Sequence, residues 1–413
     1  MTDKTLIEKV QNLKLVSKKL ANLSTDLKNS LLIKIAELVS QNRKEILTQN
    51  KIDLDNALNC VSDNVYNRLK LDDFKIDTMI SSLKNLAKLD DPINKKLFAR
   101  ELDKGLNLYK ISCPIGVLAV IFEARPDVIT QVTGLAVKSS NALILKGGKE
   151  VFNTNKFIFN LILKAIDEIK DYPKNSIIQI YSRDEVSELL SLDEYIDLII
   201  PRGGNSLVKY IKDNTKIPVL GHASGICHIF VDEYASLDMA SNIIIDAKTQ
   251  YPSACNSVET VLIHKNFKYI EKLISNLKNS DIEIIENPAD WAYEYSAKKL
   301  SIKIVDSIDD AIFHINKYGS GHTDSIVTDN IKNAEKFLNE VDSSGVYHNV
   351  STRFADGYRY GFGAEVGIST NKIHARGPVG LDGLTIYKYK LYGEGQIVKD
   401  YVEGRKHFSH VDL

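Results

Sequence analysis

Four cysteines stand in the chain, and one of them has the surroundings of a nucleophile. Cys255 falls in Tyr251-Pro252-Ser253-Ala254-Cys255-Asn256-Ser257, a run of small and polar residues between a helical pattern, Leu237–Lys248, and a strand pattern, Val258–His264. A turn there leaves the thiol within reach of a substrate and sets backbone N–H groups close enough to hold a developing oxyanion. The other three read as structural thiols: Cys60 in a helical segment, Cys113 beside Pro114, and Cys227 at the start of an apolar strand. No CxxC pair occurs, so neither a disulfide scaffold nor a zinc knuckle is expected. The nine His include no HExxH, and no metal is expected.

A second chemical candidate is Lys146-Gly147-Gly148-Lys149, at the end of the strand pattern Ala142–Leu145. Glycines there let the backbone approach a ligand, and two ammonium groups can meet phosphate; the bland reading is a solvated loop. Gly203 and Gly204 follow the strand pattern Tyr195–Ile200 in the same way. No GxGxxG follows a strand. The nearest string, Gly361-Phe362-Gly363-Ala364-Glu365-Val366-Gly367, has one residue too many, so a standard Rossmann binding mode is unsupported.

The elements that must position these residues are legible as patterns. Met1 to about Leu89 is helical, and Leu97–Ser112 reads as a hairpin with Gly105 at its turn. Short apolar strands and helices then alternate: Val117–Phe122, a helix around Val128–Ser139, Ala142–Leu145, a helix near Thr154–Lys170, Ile177–Tyr181, Tyr195–Ile200 and a helix through Tyr210. A second set runs through His228–Val231, Leu237–Lys248, Val258–His264, Ile302–Val305, Ile308–Asn316 and Gly345–Val350. This order predicts an α/β protein of two doubly wound domains with a cleft between them, where small-molecule sites prefer to form. The Gly-rich stretch Gly357–Gly383 is expected to fold over that cleft, and Leu384–Tyr392 to pair with the hairpin or with another subunit.

Bulk properties narrow the function classes. With 413 residues, 44% hydrophobic and 26% charged, the chain is in the globular range, and 53 Lys+Arg against 54 Asp+Glu leave no field to attract nucleic acid or an acidic membrane. Neither a signal core nor a membrane-length apolar run is seen, so a cytoplasmic protein with a small-molecule substrate is expected.

Taken in order, Pro114-Ile115-Gly116-Val117, Phe122-Glu123-Ala124-Arg125-Pro126-Asp127, Leu145-Lys146-Gly147-Gly148-Lys149, Gly221-His222-Ala223-Ser224-Gly225, Cys255 and Gly319-Ser320-Gly321-His322-Thr323-Asp324 resemble the gamma-glutamyl phosphate reductases, a branch of the aldehyde dehydrogenase superfamily. The likeness covers nearly the whole chain. It implies an aldehyde dehydrogenase-like fold and NADPH-dependent reduction of L-glutamyl 5-phosphate to L-glutamate 5-semialdehyde and phosphate through a Cys255 thioester, the second step of proline biosynthesis. It also implies a cofactor domain over 1–97 and 115–227, a catalytic domain over 228–383, and a small β-hairpin oligomerisation element over 98–114 and 384–413. A homo-oligomer, dimer or tetramer, and functional coupling to the upstream glutamate kinase are the partners it suggests.

Residue by residue, the glutamate that activates water in ordinary superfamily members is replaced by Gly221, which favours hydride delivery over hydrolysis. The usual oxyanion asparagine aligns with Arg125, which would meet the acyl phosphate; the competing reading is an ion pair with Glu123 or Asp127. Lys149 stands where a glutamate usually holds the adenosine ribose, which suits the 2′-phosphate of NADP. Lys146, Gly147, Gly203, Gly204 and Glu294 complete the cofactor candidates, Glu294 competing with a plain surface carboxylate on a helix. His222, His322, Thr323, Asp324 and Arg376 are substrate candidates, with Lys372 beside Arg376 as a second cation for the α-carboxylate; Gly319 and Gly321 equally suggest a tight turn. An oxidative aldehyde dehydrogenase and a catalytically silent nucleotide-binding protein are the rival readings.

Overall fold

The computed structural model describes residues 5–221 and 224–413. The chain divides into two compact units, one comprising Met1–Gly203, Asp213–Val219 and Gly380–Leu413, the other Gly204–Lys212 and Leu220–Val379.

The first unit opens with five helices, Leu6–Leu20, Thr25–Gln41, Arg43–Ala57, Asp63–Leu69 and Asp73–Lys88. The first is set by a capping box, in which Thr5 Oγ1 accepts from Glu8 N and Thr5 N donates to Glu8 Oε2 at 2.9 Å. A hairpin follows, β1 (Lys96–Asp103) and β2 (Leu106–Pro114), turning at Gly105, whose φ of 72° a side chain would strain. Next come β3 (Val117–Phe122), β4 (Ala142–Lys146), β5 (Ile177–Gln179) and β6 (Leu198–Arg202), which form an all-parallel sheet in the order β5-β4-β3-β6. Every residue of β3 is buried, as a strand covered by helices on both faces must be. The helices Val128–Lys138, Phe152–Glu168 and Arg183–Leu189 make the crossovers.

The second unit holds β7 (Cys227–Val231), β8 (Val258–His264), β9 (Glu283–Glu286), β10 (Lys299–Val305), β11 (Thr323–Val327) and β12 (Gly345–His348), a six-stranded parallel sheet in the order β12-β11-β7-β8-β10-β9. Its apolar core gathers Ile229, Val231, Val261 and Ile263 from the two central strands against Ile244 and Ala247 of helix Leu237–Thr249. The Gly-rich stretch carries only a two-residue pair, β13 (Ile368–Ser369) with β14 (Gly377–Pro378), and ends in the short 3-10 turn Asp382–Leu384, with a second such turn, Thr352–Phe354, just before it. Back in the first unit, β15 (Thr385–Tyr392) runs antiparallel to β2, from Thr385 opposite Pro114 to Tyr392 opposite Asn107. The last strand, β16 (Val411–Asp412), pairs with β1 to complete a four-stranded sheet, β15-β2-β1-β16.

Gly319 and Gly321 lie in the turn ahead of β11, Gly321 at φ 69°, while Thr323 and Asp324 belong to a fully buried strand that the sequence did not signal; the polar start of Thr-Asp-Ser-Ile-Val hides its periodicity, because those polar atoms are bonded inside the sheet. Helices Ile270–Asn279 and Ile331–Glu340 also occupy stretches that gave no clear sequence signal, both with short apolar stripes in strongly polar surroundings. No helix among the described residues is long and apolar enough to cross a membrane.

Candidate active site

Cys255 lies half-buried in the turn between helix Leu237–Thr249 and β8. Ala254 N donates to Tyr251 O at 3.1 Å and Ser257 N to Ala254 O at 2.9 Å. Between those two bonds, the N–H groups of Cys255 and Asn256 donate to no acceptor among the described residues. Two such donors flanking a nucleophile form the arrangement that stabilises an oxyanion. This turn sits at the amino ends of β7, β8 and β11, whereas open parallel sheets usually place ligands at the carboxyl ends of their strands.

The turn is held from three directions. Ser257 Oγ donates to Ala247 O at 3.1 Å, tying it back to the helix. Thr352 Oγ1 donates to Asn256 O at 2.7 Å and Asn256 Nδ2 to Ala355 O at 2.8 Å, so the 3-10 turn Thr352–Phe354 grips it from the other side. Gly225 approaches so closely that a Cβ there would lie 2.0 Å from Cys255 O and 2.5 Å from Cys255 Cα. Cys227 Sγ donates to Cys255 O at 3.4 Å, and burial pushes that thiol's pKa well up, which leaves Cys227 inert.

Behind the turn is a buried ion pair that sequence reading missed. Lys248 Nζ meets Glu259 Oε2 at 2.9 Å, with both side chains closed off from solvent. Glu259 also accepts from Tyr295 N at 3.2 Å, and burial, opposed by Lys248, pushes its carboxyl up to about 7. The neighbouring Glu294 lies in a loop rather than on a helix and accepts from Gly225 N at 3.1 Å and Asn205 Nδ2 at 3.2 Å.

The Gly319–Asp324 string supports the same segment. Ser320 Oγ accepts from Ile226 N at 2.9 Å, and Asp324 Oδ1 accepts from His228 N at 2.7 Å and faces His228 Nδ1 at 3.1 Å. Ser343 Oγ donates to the other Asp324 oxygen. His322, Thr323 and Asp324 are all closed off from solvent, with His322 Nδ1 2.9 Å from Thr323 Oγ1. Arg376 and Lys372 both pair with Asp342, whose carboxyl they hold below its usual range. His222 lies outside the described residues.

In the first unit, Arg125 pairs with Asp127 at 3.0 Å, the arrangement weighed against anion binding. Gly147, Gly148 and Lys149 line a cleft of about 680 Å³ together with Asn155, Tyr181 and Ser182. Lys146 closes β4 just before it, its ammonium pKa lowered by burial and supported by Glu150 and Glu123. Among the described residues, neither the Nδ2 nor the Oδ1 of Asn155 has a hydrogen-bond partner, although both are buried. A Cβ on Gly147 would fall 2.2 Å from Asn155 Nδ2, and one on Gly148 2.0 Å from a Glu150 oxygen. Gly203 and Gly204 follow the last residue of β6, and Gly204 O opens helix Asn205–Asp213 by accepting from Leu207 N.

Two parallel sheets, each wound through helices, and a cysteine in a braced turn define an α/β oxidoreductase of the aldehyde dehydrogenase fold. Solved structures agree: glyceraldehyde-3-phosphate dehydrogenase from Methanocaldococcus jannaschii, complexed with NADP, superposes with a TM-score of 0.69 over 94% of each chain at 14% identity. Gamma-glutamyl phosphate reductase from Thermotoga maritima superposes at 0.92, with 40% identity over 95% of this chain and 100% of that one. In sequence, gamma-glutamyl phosphate reductases from Brachyspira hyodysenteriae and Acetivibrio thermocellus are 54% and 47% identical, each matched over 98% of this chain and over 99% and 98% of their own lengths. The chain therefore belongs to the gamma-glutamyl phosphate reductase family. No family model matches it.

Proposed function

We propose that this protein reduces L-glutamyl 5-phosphate to L-glutamate 5-semialdehyde and phosphate with NADPH as reductant, the second step of proline biosynthesis. The observation that carries the reading is the Cys255 turn, a half-buried thiol flanked by two uncommitted backbone donors and braced on three sides. The thiolate attacks the acyl carbonyl, the oxygen takes up charge opposite the N–H groups of Cys255 and Asn256, and phosphate leaves to give a thioester. NADPH, when bound, supplies the hydride that reduces that thioester. Collapse of the resulting thiohemiacetal returns the thiol and releases the aldehyde. With glycine at 221, no carboxylate from that position activates water against the thioester.

The cleft beside Lys149 fits the dinucleotide. Glycines at 147 and 148 open space that a Cβ would fill, the Asn155 amide is unsatisfied, and Lys149 offers an exposed ammonium to a 2′-phosphate. Gly203, Gly204 and Glu294 are assigned to the remainder of the cofactor, His222 and Arg376 to the substrate, and the closed-off His322, Thr323 and Asp324 to shaping its pocket, while Arg125 keeps its ion pair with Asp127. The four-stranded antiparallel sheet is assigned to self-association.

The test is phosphate-dependent reduction of NADP with glutamate semialdehyde, comparing the wild type with Cys255→Ala. Phosphate-dependent turnover that the variant lacks supports the thioester route. Turnover without phosphate, or surviving loss of the thiol, refutes it.

A further inference from the structure

The arginines that sequence reading picked to meet an anion are already paired, Arg125 with Asp127 and Arg376 with Asp342. Arg353 is not. It sits in the 3-10 turn Thr352–Phe354 and is 8% exposed, yet it makes no ion pair among the described residues. Its Nε donates to Gln250 Oε1 at 2.9 Å, while Nη1 and Nη2 have no acceptor among the described residues. Burial lowers its pKa, but a guanidinium remains charged, so the fold holds a cation with no ion-pair partner largely out of water. Such an arrangement is destabilising by itself and is retained where a ligand supplies the missing charge.

The position of this cation is fixed by the nucleophile's own turn. Gln250 leads directly into that turn, and the guanidinium lies 5.8 Å from the ring centre of Tyr251, its first residue. On either side of Arg353, Thr352 and Ala355 bond to Asn256, the residue after Cys255. Cys255, Asp246, Asp356 and Arg359 are the other titratable groups in its field.

We propose that Arg353 is the anion receptor of the site, binding the phosphoryl group of the acyl phosphate beside Cys255 and stabilising it as it leaves. The assignment rests on the function proposed above. In an acyl phosphate the phosphoryl oxygen is bonded to the very carbon that Cys255 attacks, whereas the α-carboxylate lies at the far end of the glutamyl chain. A cation fastened to both ends of the nucleophile turn is therefore placed for the phosphate, and its planar fork offers two parallel donors to two phosphate oxygens. As the C–S bond forms and the C–O bond to phosphate breaks, the electron pair leaves on the phosphate oxygen. Arg353 meets that charge with hydrogen bonds and transfers no proton.

The experiment uses the phosphate-dependent oxidation of glutamate semialdehyde by NADP. Arg353→Gln is expected to raise KM for phosphate about 100-fold while KM for the semialdehyde stays within about 2-fold, and Arg353→Lys to recover part of the loss. Calorimetry provides a readout independent of turnover: inorganic phosphate should bind Cys255→Ala and fail to bind Cys255→Ala/Arg353→Gln. Should Arg353→Gln not fold, Arg353→Lys and the phosphate titration of Cys255→Ala/Arg353→Lys decide the matter. An unchanged phosphate KM overturns the assignment, and so does a rise confined to the semialdehyde, which would move Arg353 to the α-carboxylate. A wild type without phosphate dependence brings down the proposed function and this assignment with it, whereas a phosphate-dependent wild type with an indifferent Arg353→Gln brings down this assignment alone.

Discussion

At the scale of single residues, the nucleophile depends on what its neighbours lack as much as on what they supply. Gly225 is required because nothing larger than hydrogen fits between it and the Cys255 backbone. The obstacle is main chain rather than a flexible side chain, so Gly225→Ala must displace the turn itself. Misplacing a reacting group by about 1 Å can cost on the order of 100-fold in rate, and a fall of that size in kcat is expected. Steady-state kinetics beside selective labelling of the Cys255 thiol would check it; wild-type kcat would show that the turn tolerates the intrusion. The three residues His322, Thr323 and Asp324 illustrate the opposite case. Their types invite a substrate-contact reading, yet Asp324 bonds to His228 and Ser343, holding the start of β7, which runs on from Gly225.

At the scale of elements, β7, β10 and helix Ile308–Tyr318 enclose a buried aromatic cluster centred on His314. Its ring packs against His228, Trp291 and Tyr318, and Lys303 Nζ lies 3.1 Å from Nδ1, a geometry that suits a neutral imidazole. Burial, reinforced by His228 and by the positive charges of Lys303 and Lys317, lowers the His314 pKa from 6.5 to about 3. Because the folded-state value is depressed, the neutral ring's contribution is fully present above pH 6.5 and is lost as pH falls from there through about 3. His314 by itself should cost roughly 1.4 kcal/mol of unfolding stability per pH unit across that window, opposed down to about pH 4.5 by Glu259, whose raised value acts in the other sense. His314→Gln should flatten the dependence by about that slope; an identical slope in both proteins would show that His314 does not titrate with unfolding.

For the whole molecule, the exposed edge of the antiparallel sheet is the feature that asks for a partner. Tyr387, Tyr389 and Leu391 alternate along β15 and so share one face, and each is roughly half exposed. An edge strand with that much apolar surface invites pairing with a second copy. Light scattering is expected to report at least a dimer, and Leu391→Glu to shift it toward monomer. A wild-type monomer would remove the sheet's assigned role.

The sequence alone determined most of the architecture, because short apolar strands separated by amphipathic helices leave few arrangements other than two parallel sheets. It also marked Cys255, the Lys146–Lys149 strand end and the hairpin, whose signals are local in the chain. Contacts between distant positions were decided by the tertiary structure. Arg353 meets Gln250 across 103 positions, Gly225 reaches Cys255 from another strand, and Lys248 finds Glu259 only when helix and strand pack. Periodicity and turn chemistry record how each segment meets water, and they carry no information about which buried charge faces which. Folding makes those pairings, and with them it decides which cation stays unpaired beside the thiol.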